Sequence, residues 1–403
     1  MEKQELKKLL DKHKQNQCTD EDNTLLENWY LKFEFADLPP LTDAQLEEIG
    51  SMQALKFTPK KSLPLTLYLA IGLAAVLALT IVSLAVWPQI RSSRYGTDIE
   101  PGSDQAILTL SNGQKINLGA AKDGTLAEQG NIIISKSGTG ELTFKLRPDA
   151  VLVDPADRAK RTDSIRGQIV PVPDPNQLNS VTTPRGGQYA IVLPDGTKVW
   201  INAGSTLRFP SSFIDLPERR VELIGEAYFE VPKATNLMDK LRKRIPFIVK
   251  TSKQEVTVLG THFNINCYGD EPNTKTTLLE GSVRIATLPP TSGAGAARST
   301  TIKPDQQAIL TGNSLKVNQI DADDAIAWKN GEFMFRSESL ESIMRKISRW
   351  YGVDIVYEDK QVGKKLFGGT ISKFQKVSEV LCMLELTGEV RFKIDDRTIT
   401  VMR

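Results

Sequence analysis

Residues 62–90 form a run without a single Asp, Glu, Lys or Arg, and this run constrains the fold more than any other feature of the chain. A helix needs about 20 mainly apolar residues to cross the hydrocarbon core of a bilayer, and the run exceeds that length. A buried helix of a soluble domain would show a polar stripe, and none is visible. Tyr68 and Trp87 lie near its two ends, where aromatic rings suit the headgroup region. The run predicts a single membrane-spanning helix; the alternative is an internal helix of a soluble domain.

Basic residues flank this apolar run on both sides. Lys56, Lys60 and Lys61 precede it, and Arg91 and Arg94 follow it. Because cytoplasmic flanks carry more Lys and Arg, the small excess favours an amino terminus in the cytoplasm. About sixty residues precede the run, which is not the position of a cleaved signal peptide.

The composition of the 403-residue chain, 40% hydrophobic and 25% charged, supplies material for more than one packed domain outside the run. The net charge is only +2, and neither side of the run has the basic composition of a nucleic-acid binder. Cys18, Cys267 and Cys382 are too far apart for a disulfide framework; the last two are expected to be buried free thiols, although they could pair in an oxidising compartment. His13 and His262 belong to no cluster with metal-ligand spacing, so we expect neither a metal nor a cofactor.

The acidic region 1–61 has the apolar spacing of short helices. Leu25, Leu26, Trp29 and Tyr30 recur at helical spacing after a capping-box pattern at Thr19. A unit of this size hardly buries such groups by itself, since chains below about 40 residues usually need help to fold. The pattern therefore indicates a partner for this face, and the alternative is a loosely helical tail.

The chain changes to β character after the run. Segments 106–118 and 190–201 place Asn112-Gly113 and Asp195-Gly196 between apolar alternations, which predicts two similar hairpins with type I′ turns. Residues 148–184 are rich in Pro, Asp and Arg and predict an exposed loop, and 233–245 and 289–301 predict surface insertions. Short strands separated by Gly and Pro favour a sandwich or a β-solenoid. The predicted strands are 132–135, 142–146, 220–223, 227–231, 247–251, 255–259, 262–268, 276–279 and 283–286.

The last segment changes period again. Strand patterns at 331–335 and 353–357 enclose a helical pattern at 339–351, and strands at 365–371, 390–394 and 398–402 enclose a second helix at 377–386. This order predicts two β-α-β units, with both helices on one face of a sheet, in a small α+β domain.

Several motifs in the β-rich part together resemble one known family. Residues 182–210 read TTPRGGQYAIVLPDGTKVWINAGSTLRFP, residues 219–231 read RRVELIGEAYFEV, and 246–268 and 276–285 continue the pattern. In order and spacing these motifs resemble the FecR family of membrane anti-sigma factors. Residues 331–403 resemble the small domain that follows FecR domains in Bacteroidetes proteins, related in shape to the short N-terminal domain of secretins and TonB-dependent receptors. The loop 148–184 and both insertions have no counterpart, and Asp305 stands where relatives often have Gly.

The resemblance implies a multidomain, non-enzymatic protein of the inner membrane, with its amino terminus in the cytoplasm and its carboxy terminus in the periplasm. Its cytoplasmic helices would bind an extracytoplasmic-function (ECF) sigma factor through Leu25, Leu26, Trp29 and Tyr30. Its outer domains would contact the signalling domain of a TonB-dependent outer-membrane transducer, and membrane proteases would release the sigma factor. The implied divisions are the helical sigma-binding region 1–61, the transmembrane helix 62–90, a β-rich segment and linker 91–181, the all-β domain 182–322 and the α+β domain 323–403.

Three further interpretations stay open at this stage. Some FecR-like proteins break their own chain at a Gly-Thr bond, and Gly260-Thr261 matches that position; the alternative is a β-bulge followed by an ordinary strand residue. A membrane-anchored scaffold could bind glycans through Trp200, Tyr228 and Trp328. An anchored hydrolase could use Glu222, Glu226 and Glu230, although that spacing also describes a solvated strand face, and no nucleophile and base accompany it.

Overall fold

Short β-strands dominate the chain in a computed structural model, which describes residues 98–129, 132–147, 177–214, 216–235, 244–288 and 298–403. The apolar run 62–90 and the predicted helical region 1–61 lie outside the described residues. Within the described ranges, no helix is both long enough and apolar enough to cross a membrane.

The larger part of the described chain, up to Gln319, is an all-β domain, as the sequence predicts. Its strands are β1 (Ser103–Asp104), β2 (Ile107–Thr109), β3 (Lys115–Asn117), β4 (Gly124–Gln129), β5 (Ile132–Lys136), β6 (Leu142–Leu146), β7 (Leu178–Thr182), β8 (Gly187–Val192), β9 (Lys198–Ile201), β10 (Thr206–Pro210), β11 (Arg219–Val231), β12 (Phe247–Lys250), β13 (Gln254–Val258), β14 (Thr261–Cys267), β15 (Thr274–Glu280), β16 (Val283–Thr287), β17 (Ser299–Ile302), β18 (Gln306–Thr311) and β19 (Ser314–Gln319).

These strands form two sheets. One has the order β3-β2-β7-β10-β11-β12-β13-β16-β17. The other has the order β4-β5-β6-β8-β9-β11-β14-β15-β18-β19, and β1 adds a short parallel pairing to β8. Residues of both sheets share one apolar core, which makes the domain a sandwich. In both sheets, a strand that precedes residue 183 pairs with one that follows it: β7 with β10 in the first sheet and β6 with β8 in the second.

The long strand β11 belongs to both sheets. Its first residues pair with β10 and β12, and from Gly225 onward it pairs with β9 and β14. Gly225 has φ +96, and a Cβ there would lie 2.3 Å from the Ser205 Oγ. Only glycine fits a left-handed conformation this close to its neighbour, so this residue allows the strand to change sheet.

Both predicted hairpins form, but their turns are not type I′. Gly113 and Gly196 have positive φ, whereas Asn112 and Asp195 do not. In each hairpin the glycine N–H donates to the carbonyl three residues earlier, a type I turn followed by a glycine bulge. The prediction was wrong about the turn type because Asn-Gly and Asp-Gly suit both geometries.

Two other predictions need correction. Strand β7 lies inside the predicted loop 148–184; its sequence LNSVT is too polar to show a strand pattern, yet Asn179 and Val181 are fully buried. Strand β17 lies at the end of the predicted insertion 289–301. Asp305 has φ +61 in a turn closed by Gln306 N–H to Lys303 O, a conformation that Asp tolerates better than most residues.

The carboxy-terminal domain has the predicted order of elements. These are β20 (Glu332–Ser339), α1 (Leu340–Tyr351), β21 (Asp354–Tyr357), β22 (Leu366–Ser372), α2 (Val377–Glu385), β23 (Arg391–Asp395) and β24 (Thr398–Met402), with short 3-10 helices at Ala322–Ile326 and Val362–Lys364. The strands do not form one sheet: β20 pairs with β22, while β21 pairs in parallel with β24 and β24 pairs with β23. The single sheet predicted for the two β-α-β units is therefore wrong, because strand order along the chain does not fix pairing.

Helix α1 begins and ends at residues that cap it. The Ser342 N–H donates to the Ser339 Oγ at its start, and Gly352 ends it in a left-handed conformation with φ +64. Its predicted apolar face, from Leu340 to Trp350, is buried in the core of the domain. Ile99, which precedes β1, is also buried in that core.

Candidate functional site

The motif residues Asp195 and Arg219 hold the sandwich together. Arg219 is 2% exposed, and its Nη1 donates to the Asp195 Oδ2 at 2.9 Å and to the Pro232 carbonyl. The same carboxylate accepts from the N–H and the Oγ1 of Thr197. A buried ion pair with this many hydrogen bonds fixes the turn between β8 and β9 against the start of β11. These motif residues therefore have a structural task.

A buried carboxylate lies where the sandwich meets the carboxy-terminal domain. Glu226 follows Gly225 on β11 and is 8% exposed. Its Oε2 accepts from the Asn202 Nδ2 at 2.8 Å, and its Oε1 accepts from the Asn264 Nδ2 at 3.0 Å. The Asn264 Oδ1 accepts in turn from the Trp328 Nε1 at 3.3 Å. The chain of hydrogen bonds joins β11 and β14 to the segment that leads into the second domain.

A buried tyrosine lies next to this carboxylate. The Tyr268 hydroxyl donates to the Ala203 carbonyl at 2.7 Å, and the Ser205 hydroxyl lies 3.3 Å from the tyrosine oxygen. Ser205 also accepts from the backbone N–H of Glu226. Burial, followed by the nearby carboxylate of Glu226, raises the pKa of Tyr268 well above its usual value. The Ser205 hydroxyl thus lies between the Tyr268 hydroxyl and the backbone of β11.

Lys373, on the turn between β22 and α2, is 1% exposed. Its Nζ donates to the Gln188 Oε1 at 2.6 Å and lies 3.9 Å from the centroid of the Trp350 ring. Burial lowers the pKa of Lys373 to about 8, against the opposing effect of the carboxylates of Asp104 and Glu226. A lysine of the second domain is thus inserted into a polar and aromatic enclosure formed with the sandwich.

Arg349 anchors α1 to the turn between β14 and β15. Its Nη1 donates to the Asp270 Oδ2 at 2.9 Å, its Nη2 donates to the Glu271 Oε1 at 2.7 Å, and its Cζ lies 4.0 Å from the Tyr268 ring centroid. Arg345 adds a contact of 2.8 Å to Glu271. Burial alone would raise the pKa of Glu271, but the hydrogen bonds from Arg345 and Arg349 outweigh it and lower that pKa.

These groups surround a small cavity of about 120 Å³ between the two domains. Its polar and aromatic lining includes Asn202, Glu226, Asn264, Phe333, Arg349, Trp350, Lys373 and Trp328. Such a space holds a few water molecules or a very small ligand. Among the described residues, no group of three or more His, Cys, Asp and Glu could hold a metal ion.

The predicted sigma-binding residues Leu25, Leu26, Trp29 and Tyr30 lie outside the described residues. Their proposed contact therefore stays a prediction.

The predicted self-cleavage position lies at the start of β14. Gly260 has φ +148, and a Cβ there would lie 2.3 Å from the Lys233 Cγ. Thr261 is 3% exposed and pairs with Val231 of β11, and its hydroxyl donates to the Ser282 carbonyl at 3.2 Å. Thr261 is thus a paired strand residue in this structure.

The aromatic residues of the glycan-binding interpretation do not form an open surface. Tyr228 is 4% exposed, and its ring contacts the Trp200 ring at 5.6 Å between centroids. The Lys329 Nζ lies 4.3 Å and 4.8 Å from the centroids of Trp200 and Tyr228 and covers both. Trp328 is half-buried and donates to the Asn264 side chain.

The acidic residues of the hydrolase interpretation differ in their exposure to solvent. Glu226 is buried, so the three do not share one solvated face. Glu222 instead lies near Arg208 and Lys250 on the first sheet.

Sequence patterns gave little sign of Lys373 and Arg349. Arg349 is one residue off the apolar face of a clearly amphipathic helix, and Lys373 stands in a short polar turn. Neither position shows an apolar pattern, and burial follows from tertiary contacts: Lys373 packs against Trp350 of its own domain and Gln188 of the sandwich, and Arg349 contacts Tyr268 of the sandwich. The sole available signal was the density of aromatic residues in both segments.

Two family models match parts of the described chain. The family model for FecR protein matches residues 179–284, from β7 to the start of β16, and that for FecR, C-terminal, matches residues 332–401, from β20 to β24. Two crystal structures of a candidate anti-sigma factor from Parabacteroides distasonis ATCC 8503, at 1.65 Å and 2.50 Å resolution, are 26% identical to this chain. They cover 56% of this chain and 98% and 99% of that protein's chains, each with a TM-score of 0.48. No curated protein matches the chain.

Proposed function

Because this chain belongs to the FecR family, with matches over both of its described domains, we propose that it is a membrane-anchored regulator of a sigma factor. The observation that carries the proposal is the occurrence of both matched segments, in family order, downstream of an apolar run long enough to span a bilayer. Among the described residues, only three buried side-chain N and O atoms lack a hydrogen-bond partner, those of Arg219 Nε, Asp324 Oδ1 and Arg345 Nε, and a scaffold with so few unpaired groups suits a binding protein.

In the proposed topology, residues 62–90 cross the inner membrane once. Region 1–61 lies in the cytoplasm, and the sandwich and the carboxy-terminal domain lie in the periplasm. The basic residues before the run support this orientation. A periplasm-dependent reporter fused after Arg403 is expected to be active, and an inactive fusion would reverse the topology.

On the cytoplasmic side, Leu25, Leu26, Trp29 and Tyr30 form the proposed contact with an ECF sigma factor. An aromatic and aliphatic helix face of this kind suits a groove on a partner, where a few residues supply most of the binding energy. The acidic charge around this face would improve the fit to a basic partner surface.

On the periplasmic side, the two domains would receive the signal from a TonB-dependent transducer. Arg349, Lys373 and the carboxylate of Glu226 join the domains through buried polar contacts, so a partner that engages one domain would act on the other. A single helix transmits little motion by itself, so regulated proteolysis near the span is the proposed conversion step.

The glycan-binding alternative finds less support. Stacking on a sugar requires exposed aromatic faces, whereas Tyr228 is buried and Lys329 occupies the faces of Trp200 and Tyr228.

The central test is co-purification of the full chain in detergent with candidate ECF sigma factors. Trp29→Ala is expected to weaken retention about thirtyfold, as loss of a hot-spot residue costs at least about 2 kcal/mol. Trp200→Ala is the matched control and should retain the sigma factor normally. Failure of the wild-type chain to retain any candidate would remove the proposal, and unchanged retention by Trp29→Ala would place the contact elsewhere.

Intact mass measurement addresses Gly260-Thr261. Because the Thr261 hydroxyl donates to the Ser282 carbonyl, we expect one full-length species. A fragment that begins at Thr261, and that disappears in Thr261→Ala, would instead establish self-cleavage.

A further inference from the structure

The first described residues after the apolar run are held by the last domain of the chain. We call residues 98–100 the strap. The Val377 N–H donates to the Ile99 carbonyl at 3.1 Å, and the Asp98 carboxylate accepts from the N–H of Ser378 at 3.2 Å and from its Oγ at 2.7 Å. The two residues Asp98 and Ser378 are 280 positions apart in the chain.

These contacts complete the start of helix α2. Its N-cap residue, Lys376, makes no side-chain capping bond, so the first N–H groups of the helix need outside acceptors. The strap supplies them: the Ile99 carbonyl accepts from the first residue of the helix, and the Asp98 carboxylate accepts from the second. A negative charge at this end is also favoured by the helix dipole.

Apolar and ionic contacts add to the cap. Ile99 is 8% exposed and belongs to the core of the carboxy-terminal domain rather than to that of the sandwich. The Lys376 Nζ lies 3.0 Å from the Glu100 carboxylate at the surface. Three successive residues thus contact one helix start, by a cap, a buried side chain and an ion pair.

We propose that the carboxy-terminal domain uses the start of α2 to hold residues 98–100, and that the chain next to the membrane becomes open to proteolysis only when this contact opens. The inference rests on the proposed function for its membrane setting and for the role of proteolysis. A protease binds residues on both sides of the bond that it cuts in an extended form. The Ile99 carbonyl and side chain and the Asp98 carboxylate are already engaged by the carboxy-terminal domain, so a protease can bind these residues only after local opening.

The contact between the strap and α2 gives a signal a route to the membrane. A partner that engages the carboxy-terminal domain near α2 would weaken the hold on the strap without unfolding the sandwich. The state of the carboxy-terminal domain would thereby reach the chain next to the membrane through one contact of three residues.

Limited trypsin digestion of the full chain in detergent micelles tests the proposal. Arg94 is the basic residue nearest the strap on its amino-terminal side, so the rate of appearance of the new terminus at Tyr95, measured by mass spectrometry, reports strap opening. Ile99→Ala is expected to raise this rate about thirtyfold or more, since truncation of a buried Ile costs at least about 2 kcal/mol and that change in the opening equilibrium corresponds to this factor. Ile107→Ala, at a residue 41% exposed on β2, is the matched control and should leave the rate unchanged.

A second variant tests the cap without altering the core. Ser378→Asp places a carboxylate opposite Asp98 and should also speed cleavage, while the combination with Asp98→Ser should restore slow cleavage by exchanging the two roles. Unchanged rates in both Ile99→Ala and Ser378→Asp, with intact folds by near-ultraviolet circular dichroism, would overturn the proposal. Sigma-factor retention, measured on the same preparations, separates this proposal from the proposed function. Unchanged cleavage rates with normal retention would overturn only the strap proposal, and loss of retention with the expected cleavage rates would overturn only the sigma-factor contact.

Discussion

Removal of the buried charge of Lys373 should change how the stability of the two described domains depends on pH. Burial lowers the pKa of Lys373 from 10.5 to about 8. A shift of this size corresponds to about 3 kcal/mol of cost for keeping the charged form in the folded protein near neutral pH. The hydrogen bond to Gln188 and the contact with the Trp350 ring, also lost in Lys373→Met, offset much of that cost. The net stability change near pH 7 should therefore be small.

The pH dependence is the informative quantity. Between pH 8 and pH 10.5, the folded protein has released the proton of Lys373 while the unfolded chain still binds it. Above pH 10.5, the pKa of Lys373 in the unfolded chain, the lysine is neutral in both states and its burial costs no charge. As the pH falls towards 8, the pKa in the folded protein, the free energy of unfolding decreases because only the unfolded chain binds the proton freely. From about pH 7 to about pH 9.5, the wild-type free energy of unfolding should rise by about 2 kcal/mol relative to that of Lys373→Met.

Urea unfolding of the full chain in detergent, followed by tryptophan fluorescence at both pH values, measures this difference. The tyrosines with raised pKa values are present in both proteins, so their effect cancels in the comparison. Lys316→Met, at an exposed position on β19, is the control and should follow the wild-type profile. Parallel profiles for wild type and Lys373→Met would refute the reasoning, because they would mean that Trp350 and Gln188 fully compensate the burial of the charge.

Three further tests address the stability and accessibility of the described domains. Asp195→Asn leaves a buried arginine without its counter-charge and should cost about 3 kcal/mol in urea unfolding, whereas Asp354→Asn, in an exposed pair, should cost less than about 1 kcal/mol. Gly225→Ala should destabilise by more than Gly113→Ala, since both have positive φ but only the first meets a neighbouring side chain; equal losses in thermal unfolding would contradict this. Burial raises the pKa of Cys267 to about 12, so iodoacetamide should modify it only after unfolding; rapid labelling of the native protein near pH 7 would show that the site opens.

Local sequence patterns were sufficient to predict most of the described strands and helices. The alternation around Asp195-Gly196 predicts the β8–β9 hairpin, and the apolar face from Leu340 to Trp350 predicts α1. These predictions succeed because hairpins and amphipathic helices follow from contacts between residues close in the chain. The prediction of free thiols also holds for Cys267 and Cys382, although Cys382 is half-buried rather than buried.

Pairing between distant strands could not be predicted in the same way. No local sequence pattern predicts that β11 changes sheet at Gly225 or that the polar strand β7 lies inside the first sheet. The pairing of β20 with β22 is equally absent from the local pattern. Each outcome depends on which surfaces remain to be covered after the local elements have formed.

The sequence by itself determined the apolar run, the β character of the chain after it, the helices of the last domain and the family resemblance. Tertiary structure alone decided that Glu226 and Lys373 are buried rather than solvated, and that Ile99 packs with a domain whose first strand begins only at Glu332. The physical reason is that hydrophobic periodicity describes one element against a generic interior. The burial of a charge or of the strap depends on the particular neighbour that covers it.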